Sequence, residues 1–439
     1  MRLDLRVPTI LNIRTPRPFV GRNALSLPPG SVAPKLRRAI MTGITGHTPG
    51  GFVNGYGNPL TDDWDVSTVQ IAYWRKGSGW EAYKNKLVAE GYPLSEIVEA
   101  NGAAGPTITF KGATALRFLS FFHVVVLIHM APPLILQRIQ NLSTVGTTFR
   151  FWDHSDRVYT GPAYSAYAES TRQAALPFLL IGSAKDYPGS SPCDGDTTVD
   201  PEEPNPWPGG VVRCPANPSP NPGDVSGHSW MLDLRDGALG EAIGAEHALR
   251  YSTYWNAIPG LVSGFHMDNC STQFLPGLAT NAAAAGVTNA EWVRGVRTQV
   301  VRDQEAMAAF GLADPFSGNV GDQSRTSDFP QITLQYWEHP FLKGDASGYW
   351  DVADTLEHMT ALVGNGGGAF IGGRRLDSDP GSNDIPQYEQ ADHPDLLAIA
   401  LHAQSLGALS RFYLTFHATG DASNTTAFLY HGDVLPEVA

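Results

Sequence analysis

Residues 264–269 read Gly-Phe-His-Met-Asp-Asn, a short strand pattern from which the fold can be deduced. This strand pattern lies between two long helical patterns, at residues 238–257 and 289–310. An order of helix, strand and helix is typical of parallel sheets whose strands are joined by helical crossovers. The centre of the chain is therefore predicted to form an α/β structure.

The same alternation extends over much of the chain. Eight strand patterns are predicted, at residues 121–129, 148–154, 229–234, 264–269, 316–320, 332–339, 368–373 and 411–417. Helical patterns fill most of the gaps, so the sequence predicts a closed (β/α)8 TIM barrel. An open, doubly wound sheet is the alternative. It is disfavoured because no Gly-rich phosphate loop follows a strand, and Gly364-Asn-Gly-Gly-Gly precedes one instead.

Two regions lie outside this pattern. Residues 1–112 are predicted to be an N-terminal arm and lead-in region, and residues 113–439 the barrel. Residues 1–60 are rich in Pro, Gly and Arg, which indicates an extended arm lying on the barrel or on a protein partner. A Pro- and Gly-rich insertion at about 183–227 predicts a loop over one face of the barrel. Its two cysteines, Cys193 and Cys214, are compatible with either a disulfide or two free thiols.

Composition and charge disfavour several classes of protein. The net charge of −13 disfavours a nucleic-acid partner, because an acidic surface repels phosphate. No run of about 18 apolar residues is present, so no membrane span is predicted. The first residues, Met1-Arg-Leu-Asp-Leu-Arg-Val, lack the apolar core of a secretory signal. We therefore expect a cytoplasmic protein or part of a particle that is released by lysis.

Polar residues follow the predicted strands, at the end where barrel enzymes carry their sites. Asp268 would share the inward strand face with His266, and Glu338 ends a strand of apolar and aromatic residues. Glycosidic cleavage needs two carboxyl groups, one to protonate the leaving oxygen and one to attack or to activate water. Asp268 and Glu338 are the predicted catalytic pair. Structural ion pairs with Arg374, Arg375 or the histidines are the alternative interpretation.

Aromatic and polar residues near the same strand ends are candidates for contacting a sugar. Trp152 and Trp337 would be stacking platforms, whereas Asp153 and His154 would hold hydroxyl groups. The predicted substrate-binding set is Trp152, Asp153, His154, His266, Asn269, Trp337, His339, Arg374 and His417. The 10 Trp and 15 Tyr residues agree with sugar binding, although large barrels also bury many aromatic rings. No cofactor is predicted.

Three short segments carry a resemblance to glycoside-hydrolase barrels. Gly264-Phe-His-Met-Asp-Asn resembles their fourth strand, where a similar run ends in the catalytic Asp. Trp230-Met-Leu-Asp-Leu-Arg-Asp resembles their third strand, and Gln335-Tyr-Trp-Glu-His resembles a later strand that ends in Glu. The resemblance covers about residues 118–420 and implies a hydrolase that acts on a polysaccharide through Asp268 and Glu338. In amylase-type barrels the acid Glu follows strand five, whereas Glu338 follows predicted strand six.

Two other functions are compatible with the sequence. A metal-dependent hydrolase would use Asp268 and histidines at the strand ends, which are His129, His154, His266, His339 and His417. The first predicted strand lacks a closely spaced His pair and no His-x-x-x-His helix pattern appears, so no metal is predicted. The other function is a structural or receptor-binding component of a larger particle, such as a phage tail, with a glycan-binding barrel. The Pro- and Arg-rich arm favours this interpretation.

Overall fold

The computed structural model describes the chain in several ranges. These are residues 32, 34–42, 44, 66–74, 80–102, 105–127, 131–153, 158–160, 185–186, 228–231, 233–235, 237–267, 286–310, 316–319, 332–337, 352–372 and 394–418. Predictions that fall on other residues lie outside the described part of the chain.

The N-terminal third contains five strands and three helices in the described ranges. In chain order they are β1 Arg37–Thr42, β2 Gln70–Trp74, α1 Trp80–Ala89, β3 Ile97–Gly102, β4 Gly105–Lys111, α2 Gly112–Leu119, β5 Val124–Leu127 and α3 Pro133–Leu142.

The remaining described ranges contain nine strands and four helices. They are β6 Thr148–Asp153, β7 Val158–Thr160, β8 Lys185–Asp186, β9 His228–Met231, α4 Ala238–Ala257, β10 Val262–Met267, α5 Asn289–Ala308, β11 Phe316–Asn319, β12 Leu334–Trp337, α6 Val352–Gly364, β13 Gly368–Gly372, α7 Pro394–Ser405 and β14 Phe412–Ala418.

Eight of the strands form a closed barrel in the order β1-β14-β13-β12-β11-β10-β6-β5. Every pairing between neighbouring barrel strands is parallel. Helices α3, α4, α5, α6 and α7 lie between consecutive barrel strands along the chain. The predicted (β/α)8 TIM barrel is therefore confirmed.

One predicted barrel strand is replaced by another. The barrel includes β1, which pairs with β14 and β5, although the sequence assigned residues 1–60 to an extended arm. A strand does form within the predicted 229–234 segment, but its placement in the barrel was wrong, because β9 pairs with β7 and β8 in a separate antiparallel sheet. Because the barrel gains β1 and loses β9, the number of barrel strands remains eight. β10 remains the fourth barrel strand along the chain and β12 the sixth.

Alternation along the barrel strands separates two hydrophobic layers. The inner cluster fills the barrel and contains Ala39, Met41, Val124, Val126, Tyr336 and Phe370, with Trp152, Leu334 and Tyr413 packed against it. The intervening residues, such as Ile40, Phe151 and Phe265, face outward and pack in the larger core beneath the helices. Each barrel strand is therefore buried on both faces, as parallel strands commonly are.

A second sheet lies between β1 and β5 in the sequence, with antiparallel strand order β2-β4-β3. Phe110 of this sheet stacks on Phe118 of α2, with ring centroids 4.4 Å apart. The Glu96 carboxylate accepts hydrogen bonds from the backbone N–H and the hydroxyl of Thr114, at 2.8 and 2.7 Å. Glu96 thereby satisfies a free N–H in the first turn of α2, which leads directly towards β5.

Helices α4 and α5 flank β10 and pack closely against each other. A Cβ atom on Gly240 would lie 2.8 Å from the Gln299 Cα, and one on Gly244 would lie 3.0 Å from the Asp303 carboxylate. The predicted start of α5 after a Thr-Asn pair is also explained, because Thr288 and Glu291 form a reciprocal capping box. This helix pair supports the strand that precedes Asp268.

Candidate active site at the C-terminal ends of the barrel strands

Inward-facing side chains of the barrel stack in layers. Barrel strands are staggered. From one strand to the next, the residue at the same height along the barrel axis is about one position away from the hydrogen-bonded register partner, as in other (β/α)8 barrels. Strands β5, β10, β12 and β14 therefore contribute one layer, which contains Val126, His266, Tyr336 and Thr415. The next layer towards the N-terminal ends comes from the other four strands and contains Ala39, Arg150, Ser317 and Phe370.

His266 lies at the centre of this stack. Its side chain is fully buried, and its Nδ1 lies 3.0 Å from the Ser317 hydroxyl. The Ser317 hydroxyl in turn donates to the Phe265 carbonyl at 3.3 Å. The hydrogen bonds thus tie the inward side of β10 to β11.

Aromatic rings surround the His266 imidazole. The centroid of the imidazole lies 4.9 Å from the Trp152 ring, 5.5 Å from the Tyr336 ring and 6.2 Å from the Phe370 ring. Trp152 is half-buried and lies nearest the C-terminal ends of the strands among these four residues. Of the two tryptophans predicted to stack on sugar, it is the one that faces the barrel interior.

Arg150 is a charged residue of the barrel interior that sequence reasoning missed. Its side chain is 5% exposed, and its Nη1 lies 3.5 Å from the Phe265 carbonyl oxygen. The same carbonyl accepts the Ser317 hydroxyl. The signal was present in the sequence, because Arg150 stands between Phe149 and Phe151 in a predicted strand. A buried guanidinium of this kind attracts carboxylates, which are its preferred partners.

Trp337 lies on the other face of its strand. Its ring is fully buried in the core beneath the helices, where it lies 6.4 Å from Phe412. Its Nε1 donates to the Gln335 side chain at 3.2 Å. A buried ring has no face open to a ligand, so the structure does not bring Trp337 together with Trp152 and His266.

The other predicted site residues are described in part or not at all. Asp153 and His417 have a described backbone only, pairing with Met267 and Met41 respectively. Six further residues lie outside the described part of the chain, and they are Asp268, Glu338, His154, Asn269, His339 and Arg374. Of the predicted set, the structure brings together Trp152 and His266.

Metal and membrane features were searched in the described residues alone. They contain no group of three or more His, Cys, Asp or Glu side chains arranged to bind a metal ion. Within the same ranges, no helix is both long and apolar enough to span a bilayer.

Comparison with known proteins gives a distant similarity among solved structures. No protein-family model matches the sequence, and no curated protein matches it. Among solved structures, the chain is similar to a GH31 dextranase of Flavobacterium johnsoniae complexed with glucose, with a TM-score of 0.28 and 11% identity. The match covers 87% of this chain and 42% of the dextranase, so the chain spans less than half of that protein. The class of fold rests on the strand pairing of the barrel itself.

Proposed function

We propose that this chain is a glycoside-hydrolase-like barrel that binds and cleaves a polysaccharide. Asp268 and Glu338 would be its two carboxyl groups. The observation that carries the proposal is the contact between His266 and Tyr336, whose rings lie 5.5 Å apart inside the barrel. Each of these two residues stands two positions before one of the proposed carboxylates on the same strand.

The strand alternation supports the pairing of these two carboxylates. Because side chains two residues apart share a strand face, Asp268 is predicted to face inward after His266, and Glu338 after Tyr336. His266 and Tyr336 belong to one layer, so the next layer that these same strands contribute, above the layer of Met41 and Trp152, would contain both carboxylates. His417, two residues after Thr415, would belong to the same layer. This arrangement corresponds to the C-terminal face, where barrel enzymes carry their catalytic residues.

The strand spacing also supports cleavage of a glycosidic bond. Neighbouring strands lie about 4.8 Å apart, so β10 and β12 are separated by roughly 10 Å across β11. Side chains that converge on the barrel axis shorten this distance. Carboxyl separations of about 5.5 Å give retention and roughly 6.5–9.5 Å give inversion, and both fit two strands at this spacing.

The described surroundings suit a sugar. Trp152 offers a half-buried aromatic ring beside His266, and the apolar C–H faces of sugars pack on such rings. Arg150 lies deeper in the barrel than Trp152, and its positive charge would favour the ionised form of a nearby carboxyl group. One carboxyl group would donate a proton to the leaving oxygen, and the other would attack the sugar or activate water.

The experiment is a panel of bacterial surface polysaccharides incubated with the purified full chain, with released reducing ends counted. Asp268→Asn and Glu338→Gln are each expected to lower release by roughly 10²–10⁴-fold, because each removes one proton-transferring or nucleophilic group. Glu305→Gln, at an exposed position of α5, is the matched control and should leave release unchanged. Glycan binding without release by the wild-type protein would overturn the hydrolase proposal and leave a glycan-binding barrel.

A further inference from the structure

Three arginines lie where two neighbouring barrel strands begin. Arg37 and Arg38 are the first two residues of β1, and Arg411 immediately precedes β14. The two strands pair in parallel, with Arg37 beside Tyr413, and the short 3-10 turn Leu409–Arg411 contacts β1. The three arginines therefore belong to the N-terminal end of the barrel, opposite the end that carries the candidate active site.

Close packing against β13 fixes the place of Arg411. A Cβ atom on Gly368 would lie 2.7 Å from the Arg411 Cβ and would also collide with the Arg411 carbonyl oxygen. Glycine is therefore required where the turn passes over the beginning of β13. As a result, the chain enters β14 at a defined place next to the first residues of β1.

The positive charge of these arginines is not balanced by neighbouring carboxylates. In the part of the chain that the structure describes, none of the three guanidinium groups has an ion pair or a hydrogen bond. The whole sequence has 43 acidic and 30 basic residues, so this group of cations departs from the overall charge. Arg37 and Arg411 are exposed, whereas Arg38 is half-buried. Burial lowers the pKa of Arg38, because its charge is partly removed from water.

A neighbouring histidine responds to the same positive charge. His123 immediately precedes β5, the other neighbour of β1, and its pKa falls from 6.5 to about 4. Burial is the first cause, and the charges of Arg37 and Arg38 add to it. Glu90 does not offset these charges, because its carboxylate accepts hydrogen bonds from the Arg117 guanidinium at 2.9 and 3.2 Å. This end of the barrel therefore has a positive potential at β5, β1 and β14.

We propose that Arg37, Arg38 and Arg411 form a binding site for an oxyanion of the phosphate type. Guanidinium groups bind phosphate oxygens through paired, charge-assisted hydrogen bonds. A phosphate group offers more oxygen atoms than a carboxylate, so it can contact more than one of the arginines at once. The three residues cover the beginnings of two strands, which suits one phosphate group. The proposal does not rest on the proposed function, because the site lies at the opposite end of the barrel.

Inorganic phosphate added to the full chain at pH 7 and constant ionic strength tests the site. Calorimetry measures its affinity. The nitrogen-15 NMR signals of the His123 ring, assigned from their loss in His123→Asn, report where it binds. We expect saturable movement of these signals with phosphate and much less with acetate. Movement that is absent, or equally large with phosphate, acetate and chloride, would overturn the site.

Single substitutions decide whether the arginines bind the anion. Arg37→Gln and Arg411→Gln should each lower phosphate affinity roughly 10-fold or more, because each removes charge-assisted hydrogen bonds. Arg294→Gln, at an exposed position of α5, changes the net charge equally and should leave the affinity unchanged. Equal affinities in all four proteins, or an equal loss in all three variants, would overturn the proposal. Circular dichroism verifies that the compared variants are folded.

A hexose phosphate in the same titration identifies the source of the phosphate. Binding tighter than that of inorganic phosphate would assign the site to a phosphate group of a larger molecule, and equal binding would assign it to the free anion. A short poly-glutamate peptide that binds more tightly than either would overturn the phosphate assignment in favour of an acidic protein partner.

Discussion

His123 joins the beginnings of two neighbouring barrel strands. The ring Nδ1 of His123 accepts a hydrogen bond from the backbone N–H of Arg38 at 3.2 Å, and the backbone N–H of His123 donates to the Arg38 carbonyl at 2.8 Å. Burial, together with the positive charges of Arg37 and Arg38, lowers the pKa of His123 from 6.5 to about 4. The neutral ring is therefore the form that fits the folded barrel.

This lowered pKa predicts a loss of stability in acid. The unfolded chain binds a proton at His123 below pH 6.5, whereas the folded chain resists it down to about pH 4. The free energy of unfolding should therefore fall as the pH drops through this window. In His123→Asn the side-chain oxygen keeps an acceptor for Arg38 without titrating, so urea unfolding between pH 7 and 4 should show a shallower decline. An equally steep decline in both proteins would contradict the assignment.

Trp152 and Trp337 occupy similar positions near the ends of two barrel strands, but Trp152 faces the barrel interior and Trp337 faces the helices. Trp337 is fully buried in the outer core, so Trp337→Ala should lower the free energy of unfolding by about 3–5 kcal/mol. Trp152 is half-buried beside the proposed site, so Trp152→Ala should weaken glycan binding with a smaller loss of stability. Chemical unfolding and glycan titration of both variants measure the difference. Equal losses of stability would show that Trp152 is chiefly a core residue.

At the scale of elements, the contact between α4 and α5 depends on two glycines one helical turn apart. A Cβ on Gly240 would approach the Gln299 backbone to 2.8 Å, closer than side chains tolerate without backbone movement. Gly240→Ala should lower the free energy of unfolding by about 1–3 kcal/mol through overpacking. Gly364→Ala is the matched control at the end of α6, because nothing lies within 4 Å of its added Cβ. A stability loss shared by both variants would instead point to a backbone effect.

The same helix pair is the support of β10. His247 of α4 stacks on Phe265 with ring centroids 4.2 Å apart, and Phe265 is the outward neighbour of His266. Overpacking at Gly240 should therefore disturb the inward face of β10 as well. We expect the nitrogen-15 NMR signals of the His266 imidazole to broaden in Gly240→Ala and to remain sharp in Gly364→Ala. Unchanged signals in both variants would show that the strand is insulated from the helix contact.

At the scale of the whole molecule, β1 closes the barrel between β14 and β5. A chain lacking residues 1–42 would leave two unpaired strand edges inside a parallel sheet. It should lose cooperative thermal unfolding and aggregate. A chain lacking residues 1–31 keeps β1 and is the matched control. Cooperative unfolding of the shorter chain, followed by circular dichroism, would contradict the role of β1 in closure.

The sequence could reveal the fold because alternating strands and helices leave a local pattern. β10, β12 and β13 were predicted close to their observed positions, and α5 begins next to the predicted Thr-Asn start. β1 escaped notice because Arg37 and Arg38 open it and because its remaining residues are buried on both faces. Such a strand shows no polar alternation. β9 has an ordinary strand pattern, and nothing local to it specifies which sheet it joins.

For the candidate site, the sequence alone determined which polar and aromatic residues follow one another near the predicted strand ends, because strand ends and alternation are local properties. It selected Trp152 and His266, which the structure brings into contact. The tertiary structure alone decided that Trp337 faces outward, that Arg150 lies inside the barrel, and that Ser317 bonds His266. These facts depend on the stagger between strands and on the closure of the sheet. Both join residues that are far apart in the sequence, so no local pattern encodes them.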